Sequence, residues 1–163
     1  MSVIPQRIYR LVETRLKQRW DLAARARAKL YDAQQAALSI SSPGANQDEG
    51  HACGPGNRTQ ALALKIVEAE EKLAQAELWE EAFHLADAAF PWESTPEGVI
   101  AGYLYGNGMT IQETCIATGR KRTTVIHLRD NYVAHAALFA AALGLIDIRK
   151  GQEHEQNREL ADP

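Results

Sequence analysis

Two stretches of the chain carry mostly apolar or small residues at spacings that alternate between three and four. In residues 5–38 the repeat falls on Tyr9, Val12, Leu16, Arg19, Ala23, Ala26, Leu30, Ala33 and Ala37. In residues 58–90 it falls on Leu62, Ile66, Ala69, Leu73, Ala76, Glu80, Phe83, Asp87 and Phe90. That period places each set on one face of a helix. The first stretch contains no glycine and one proline, Pro5, at a position suited to a first helical turn; the second contains neither. Residues 39–57 between them carry Pro43, Gly44, Gly50, Gly54, Pro55 and Gly56, the composition of a long loop.

The two periodic stretches predict an antiparallel helical hairpin. Small residues then face large ones, as in Ala33 against Ile66 and Ala26 against Leu73, which permits close helix packing. In the same register Arg19 meets Glu80 and Val12 meets Asp87. Ile8, Leu11, Trp20, Leu22, Tyr31, Leu64, Val67, Leu78 and Trp79 lie off this seam. Two helices cannot bury them all, so they call for a further partner, either the C-terminal part or a second chain.

After residue 91 the pattern shortens. Ser94–Thr95–Pro96–Glu97 is a helix start, with a hydroxyl cap, a proline and an acid. That helix carries Val99, Ile100, Tyr103 and Leu104 and stops at Gly106–Asn107–Gly108. Thr110–Ile111–Gln112–Glu113 is a capping box opening a helix of about 110–118, which ends at Gly119. A longer helix is predicted from about Lys121 to Leu143, stopping at Gly144. The spacing is that of a helix-turn-helix: a small residue at Cys115, a turn glycine at Gly119, and apolar Val125 and Leu128 on the buried face of the second helix.

The expected architecture is therefore all-α, a long antiparallel helical hairpin followed by a helix-turn-helix module. Residues 1–91 form the first part, 92–148 the second, and 149–163 a polar tail.

Composition narrows the class. The 163 residues are 45% hydrophobic and 24% charged, which suits one globular domain or two small ones and excludes wholesale disorder. Net charge is -3, which excludes a uniformly basic nucleic-acid binder. The charge is unevenly placed: residues 1–38 are basic, 58–90 acidic, and 120–130 hold Arg120, Lys121, Arg122 and Arg129 against Asp130. No apolar run approaches the roughly 18 residues of a membrane span, and the N-terminus lacks a signal-peptide pattern. Two cysteines make no disulfide framework, so a cytoplasmic setting without membrane partners is expected.

The second basic cluster falls at the start of the predicted recognition helix. Arg120, Lys121, Arg122, Thr123, Thr124, Ile126, His127 and Arg129 are the candidate DNA-binding residues. Arg and Lys take phosphates or the guanine edge, threonine hydroxyls reach phosphate, and Ile126 suits a thymine methyl. Asp48, Glu49, His51 and Cys53 cluster in the loop but lack the spacing of a structural zinc site. Gly54–Pro55–Gly56–Asn57 lacks the lysine of a phosphate-binding loop. His84, His127 and His135 form no arrangement with a nucleophile. No catalytic residue, metal or cofactor is predicted, and no enzyme.

Residues 97–130 resemble the RinA-type phage transcriptional regulators, which carry a sigma-factor region-4-like helix-turn-helix. The resemblance rests on Gly108, Thr110, Glu113, Cys115, Gly119 and Arg122–Thr123–Thr124–Val125. The upstream order of helix, Ser/Pro/Gly-rich loop and acidic helix is also similar, over roughly residues 5–145. Departures are Cys115 for the usual alanine, Thr114 and Thr118 in the buried helix, and His127 where the family often has a basic residue. The resemblance implies a sequence-specific activator of phage late genes that binds double-stranded DNA and contacts RNA polymerase; a homo-oligomer, expected to be a dimer, follows instead from the apolar residues left off the hairpin seam, since dimers are frequent among proteins that read paired DNA sites. Two alternatives stay open: a small-terminase-like recognition subunit for DNA packaging, and a helical protein-interaction module that binds no DNA.

Overall fold

The computed structural model describes residues 4–40 and 55–148. The candidate metal cluster in the loop, Asp48 to Cys53, and the tail 149–163 lie outside the described residues. Among the described residues the chain is all-α, with six α-helices and no strand. They are α1 (Gln6–Lys17), α2 (Leu22–Ile40), α3 (Pro55–Ala89), α4 (Pro96–Ala101), α5 (Ile111–Thr118) and α6 (Arg122–Ala142). A π-helical turn, Gly102–Gly106, continues α4.

The first periodic stretch is two helices rather than one. α1 stops at Lys17, and the last turn tightens through bonds from Gln18 N to Arg15 O (3.1 Å) and Arg19 N to Leu16 O (3.2 Å). Asp21 stands just before α2, a cap-type residue in a cap position, and its backbone carbonyl accepts from Arg25 N (2.9 Å). No glycine or proline marks this break. Its cause is tertiary: Arg19, 6% exposed, is drawn inward to a carboxylate described below. The helices also run further into the expected loop, α2 to Ile40 and α3 back to Pro55.

The chain divides into two compact units, residues 20–77 and residues 1–19 with 78–163. The boundary expected at residue 91 falls inside the second of these.

In the 20–77 unit, Ala23 and Ala26 of α2 share a buried cluster with Ala76 of α3, and Leu22 and Leu73 pack on it. Of the remaining seam positions Ala69 is buried and Leu30, Ala33, Ala37, Leu62 and Ile66 are half-buried. Alanine at the contact lets the backbones approach closely. Arg27 pairs with Glu77 across 3.4 Å at the exposed margin.

In the other unit, α6 is the central element, with α1, α4 and α5 packed on it. Its Ala136, Ala137 and Ala140 are fully buried, as are Val12 and Leu16 of α1 and Ile100 of α4. Ile8 and Trp79, both off the expected seam, are buried here. Leu11, Trp20, Tyr31, Leu64, Val67 and Leu78 stay exposed.

Three glycines shape the approach to α4. A Cβ on Gly98 would lie 2.4 Å from the carbonyl oxygens of both Phe90 and Pro91. The Trp92 ring lies flat on the π turn, where a Cβ on Gly106 would meet it at 2.5 Å and one on Gly102 at 3.3 Å. Absent side chains at 102 and 106 thus make the seat for an indole.

Candidate nucleic-acid interface

The start of α6 is placed by two local devices. Thr110 caps α5 by accepting from Glu113 N (3.3 Å), and the Glu113 carboxylate accepts in return from Thr110 N (2.7 Å) and its hydroxyl (2.8 Å). The backbone and hydroxyl bonds from Thr110 hold the Glu113 carboxyl below the usual glutamate range. α5 then ends at Gly119 in the left-handed conformation, φ 64° and ψ 17°. Nothing lies within 4 Å of a Cβ there, so the backbone conformation rather than space calls for glycine. Lys121 is extended, and α6 begins at Arg122.

The inner face of the new helix is apolar. Val125 and Leu128 form a buried cluster with Ile100, on which Leu104, Ile111 and Cys115 pack. Thr114 is fully buried, yet its hydroxyl is satisfied by Thr110 O (2.9 Å), and Thr118 does the same with Thr114 O (2.7 Å). Both threonines therefore present methyl groups to their surroundings at no cost in unpaired polar atoms.

On the outer side, Arg120, Lys121, Arg122, Thr123, Thr124 and His127 are exposed together, within two turns of the helix start. Ile126 is half-buried at their margin. Among the described residues, no side chain caps the N-terminus of α6, although Thr95 caps α4 and Thr110 caps α5. The first-turn N–H groups of α6 thus add their partial positive charge to that of Arg120, Lys121 and Arg122.

Arg129 does not belong to this face. Its side chain is 19% exposed, and Nε and Nη2 donate to Asp130 Oδ1 at 2.9 and 2.8 Å. It also lies 3.9 Å from Glu13 and over the Tyr9 ring, 5.7 Å from its centroid. Burial works against its charge, but the bonds and charge of Asp130 outweigh it and hold Arg129 more firmly protonated. Tyr9 donates to the same Asp130 oxygen (2.5 Å), and burial and that bond push its hydroxyl upward. The predicted set is split at this point: α1 lies against α6 at Arg129 and Asp130, which serve as its attachment.

No protein-family model, curated protein or solved structure matches the chain.

A second polar centre was not foreseen in its true form. Asp87 of α3 accepts from Tyr132 OH (2.5 Å), Trp92 Nε1 (2.8 Å) and both terminal nitrogens of Arg19. The expected partners were Glu80 for Arg19 and Val12 for Asp87; the helix break at Gln18–Asp21 lets Arg19 reach Asp87 instead. The guanidinium also stacks over Phe83 and Trp92, at 5.7 and 5.2 Å from the ring centroids. Burial works against the Arg19 charge, but the Asp87 contacts prevail and raise its pKa; burial and Asp87 likewise push the Tyr132 hydroxyl up. The sequence signal was the presence of Arg19, Glu80 and Asp87 on otherwise apolar strips. Ile116, 77% exposed on α5, is another residue that the pattern did not single out.

Among the described residues, no group of three or more His, Cys, Asp or Glu is placed to hold a metal ion. No helix among them is long and apolar enough to cross a membrane.

Proposed function

We propose that this chain is a sequence-specific transcriptional regulator that binds double-stranded DNA, with α5, Gly119 and α6 acting as a helix-turn-helix and α6 entering the major groove. α2 and the first part of α3 are the helical hairpin of this reading. The observation that carries it is the start of α6: an uncapped helix N-terminus ringed by Arg120, Lys121, Arg122 and two exposed threonine hydroxyls. Phosphate is the ligand such a site favours. Lys121 and Arg122 then take backbone phosphates or guanine edges, and Ile126 and His127, further along the helix, meet base edges. Arg129 is a positioning residue, since it anchors the helix to α1.

By its resemblance to the RinA-type regulators the chain is an activator of phage late genes that touches RNA polymerase; its cysteine usage suits the cytoplasm, and its off-seam apolar residues suit a homodimer. The polymerase contact and the sign of regulation follow from the resemblance alone.

The test is fluorescence anisotropy with promoter-sized duplexes from the gene's own neighbourhood, titrated across salt. The expected result is tight binding to one fragment that weakens steeply with salt. Absence of binding to every fragment at low salt refutes the reading and leaves the protein-interaction alternative.

A further inference from the structure

We propose that the outer faces of α2 and of the first part of α3 are the interface between two copies of this chain, α2 of each copy lying antiparallel on α3 of the other in a four-helix bundle. The proposal rests on the hairpin of the reading above and specifies its self-association. Tyr31 and Leu38 of α2 are 61% and 62% exposed, and Leu64 and Val67 of α3 are 59% and 50% exposed. These four do not scatter. On α2, Ala24, Arg27, Tyr31, Gln34 and Leu38 are all exposed and recur at spacings of three and four. On α3, Leu64, Val67, Glu71 and Ala74 are all exposed and do the same. Each helix of this unit thus has a second heptad strip besides the covered seam.

Three features select a second copy as the occupant. First, each outer strip follows its own inner seam by one or two residues in the same rotational sense. In an antiparallel pair this turns both strips to one side, making a continuous surface. Second, the strips share a register. Each step of three or four down α2 is matched by an equal step back along α3, so Ala24 faces Ala74, Arg27 faces Glu71, Tyr31 faces Val67 and Gln34 faces Leu64 of the other copy. Third, the charges complement only in this pairing. Arg27 is the one cation of the α2 strip and Glu71 the one anion of the α3 strip. Packing α2 on its own copy, or α3 on its own, brings together no opposite charges from these strips. Arg27 also reaches Glu77 of its own chain at 3.4 Å, but both are more than half exposed, and a guanidinium has five donors to share.

The experiment is sedimentation and light scattering of the full chain across concentration. A dimer is expected. Tyr31→Glu with Val67→Glu should give a monomer with unchanged far-UV circular dichroism, since both positions are exposed. Arg27→Glu alone should weaken dimerisation roughly tenfold, and adding Glu71→Arg should restore it. A monomeric wild-type chain at high concentration, a ring of more than two copies, a dimer that survives the Tyr31/Val67 variant, or a charge swap that fails to restore association each overturns the proposal. DNA binding is read separately by anisotropy. A monomer that binds DNA sinks this interface and leaves the regulator reading standing, whereas a dimer that binds no DNA does the reverse.

Discussion

Arg19 and Tyr132 meet on the same carboxylate: Asp87 accepts from both, and from the Trp92 indole as well. One acid thus ties the end of α1, the C-terminal part of α3, the turn before α4 and the middle of α6. Arg19 is 6% exposed and Asp87 24%, so the pair is held where solvent screens it weakly. Asp87→Ala leaves a buried guanidinium without its anion. The expected loss is about 3 kcal/mol in urea denaturation, with the α6 packing loosened as judged by near-UV circular dichroism. A loss near zero would mean that Arg19 escapes to water and that the network is peripheral.

Two glycines should respond very differently to alanine. At Gly119 only the left-handed backbone is at stake, so Gly119→Ala should cost about 1 kcal/mol. At Gly98 a methyl group collides with two backbone carbonyls, and neither belongs to a flexible side chain. Gly98→Ala should cost about 3 kcal/mol. Equal effects on the thermal midpoint would contradict this assignment.

The cations of α6 divide by role. Lys121→Glu with Arg122→Glu should abolish DNA binding and leave helicity intact, because both side chains are exposed. Arg129→Ala should instead lower stability by about 1 kcal/mol, by releasing Asp130 and Glu13. It should leave the slope of affinity against salt unchanged, since that slope counts phosphate contacts. A reduced slope for Arg129→Ala would place it on the DNA.

The cap of α5 is sensitive to acid. The folded-state pKa of Glu113 lies below its ordinary value, so the carboxylate's stabilisation of the cap is fully present above the ordinary glutamate range. It is lost as pH falls through that range and on to the lower folded value, roughly pH 4 and below. Glu113→Gln should flatten this acid limb of the stability curve for the domain. An unchanged limb in the variant would assign acid sensitivity to other carboxylates.

Thr114 tests whether a buried hydroxyl matters. Its hydroxyl returns to Thr110 O, which already accepts Thr114 N at 2.9 Å. Thr114→Val keeps the shape and removes only the redundant bond, so the change should stay within about 1 kcal/mol of neutral in chemical denaturation. A loss of several kcal/mol would reveal a partner beyond its own helix.

The helices downstream of residue 91 were legible in the sequence because their boundaries are chemical and local. Thr95, Thr110, Gly119 and Gly144 each act through the backbone within one turn, and the ends they mark agree with the structure to within a residue or two. The seam of α2 and α3 was legible for a related reason: a helix period shows which face is covered without saying by what. The break at Gln18–Asp21 was not legible, since none of its residues is a poor helix former of the glycine or proline kind; it exists because Arg19 gains more from Asp87, Phe83 and Trp92 than from continuing the helix. Arg129 was misplaced for the same reason. An exposed-looking cation at the right helical angle is outward only if nothing covers it, and the sequence of α6 alone carries no record that Tyr9 and Glu13 do. Periodicity and caps are properties of neighbouring residues, whereas the choice of partner for a buried charge depends on residues far apart in the chain, and only the folded arrangement of α1, α3 and α6 decides it.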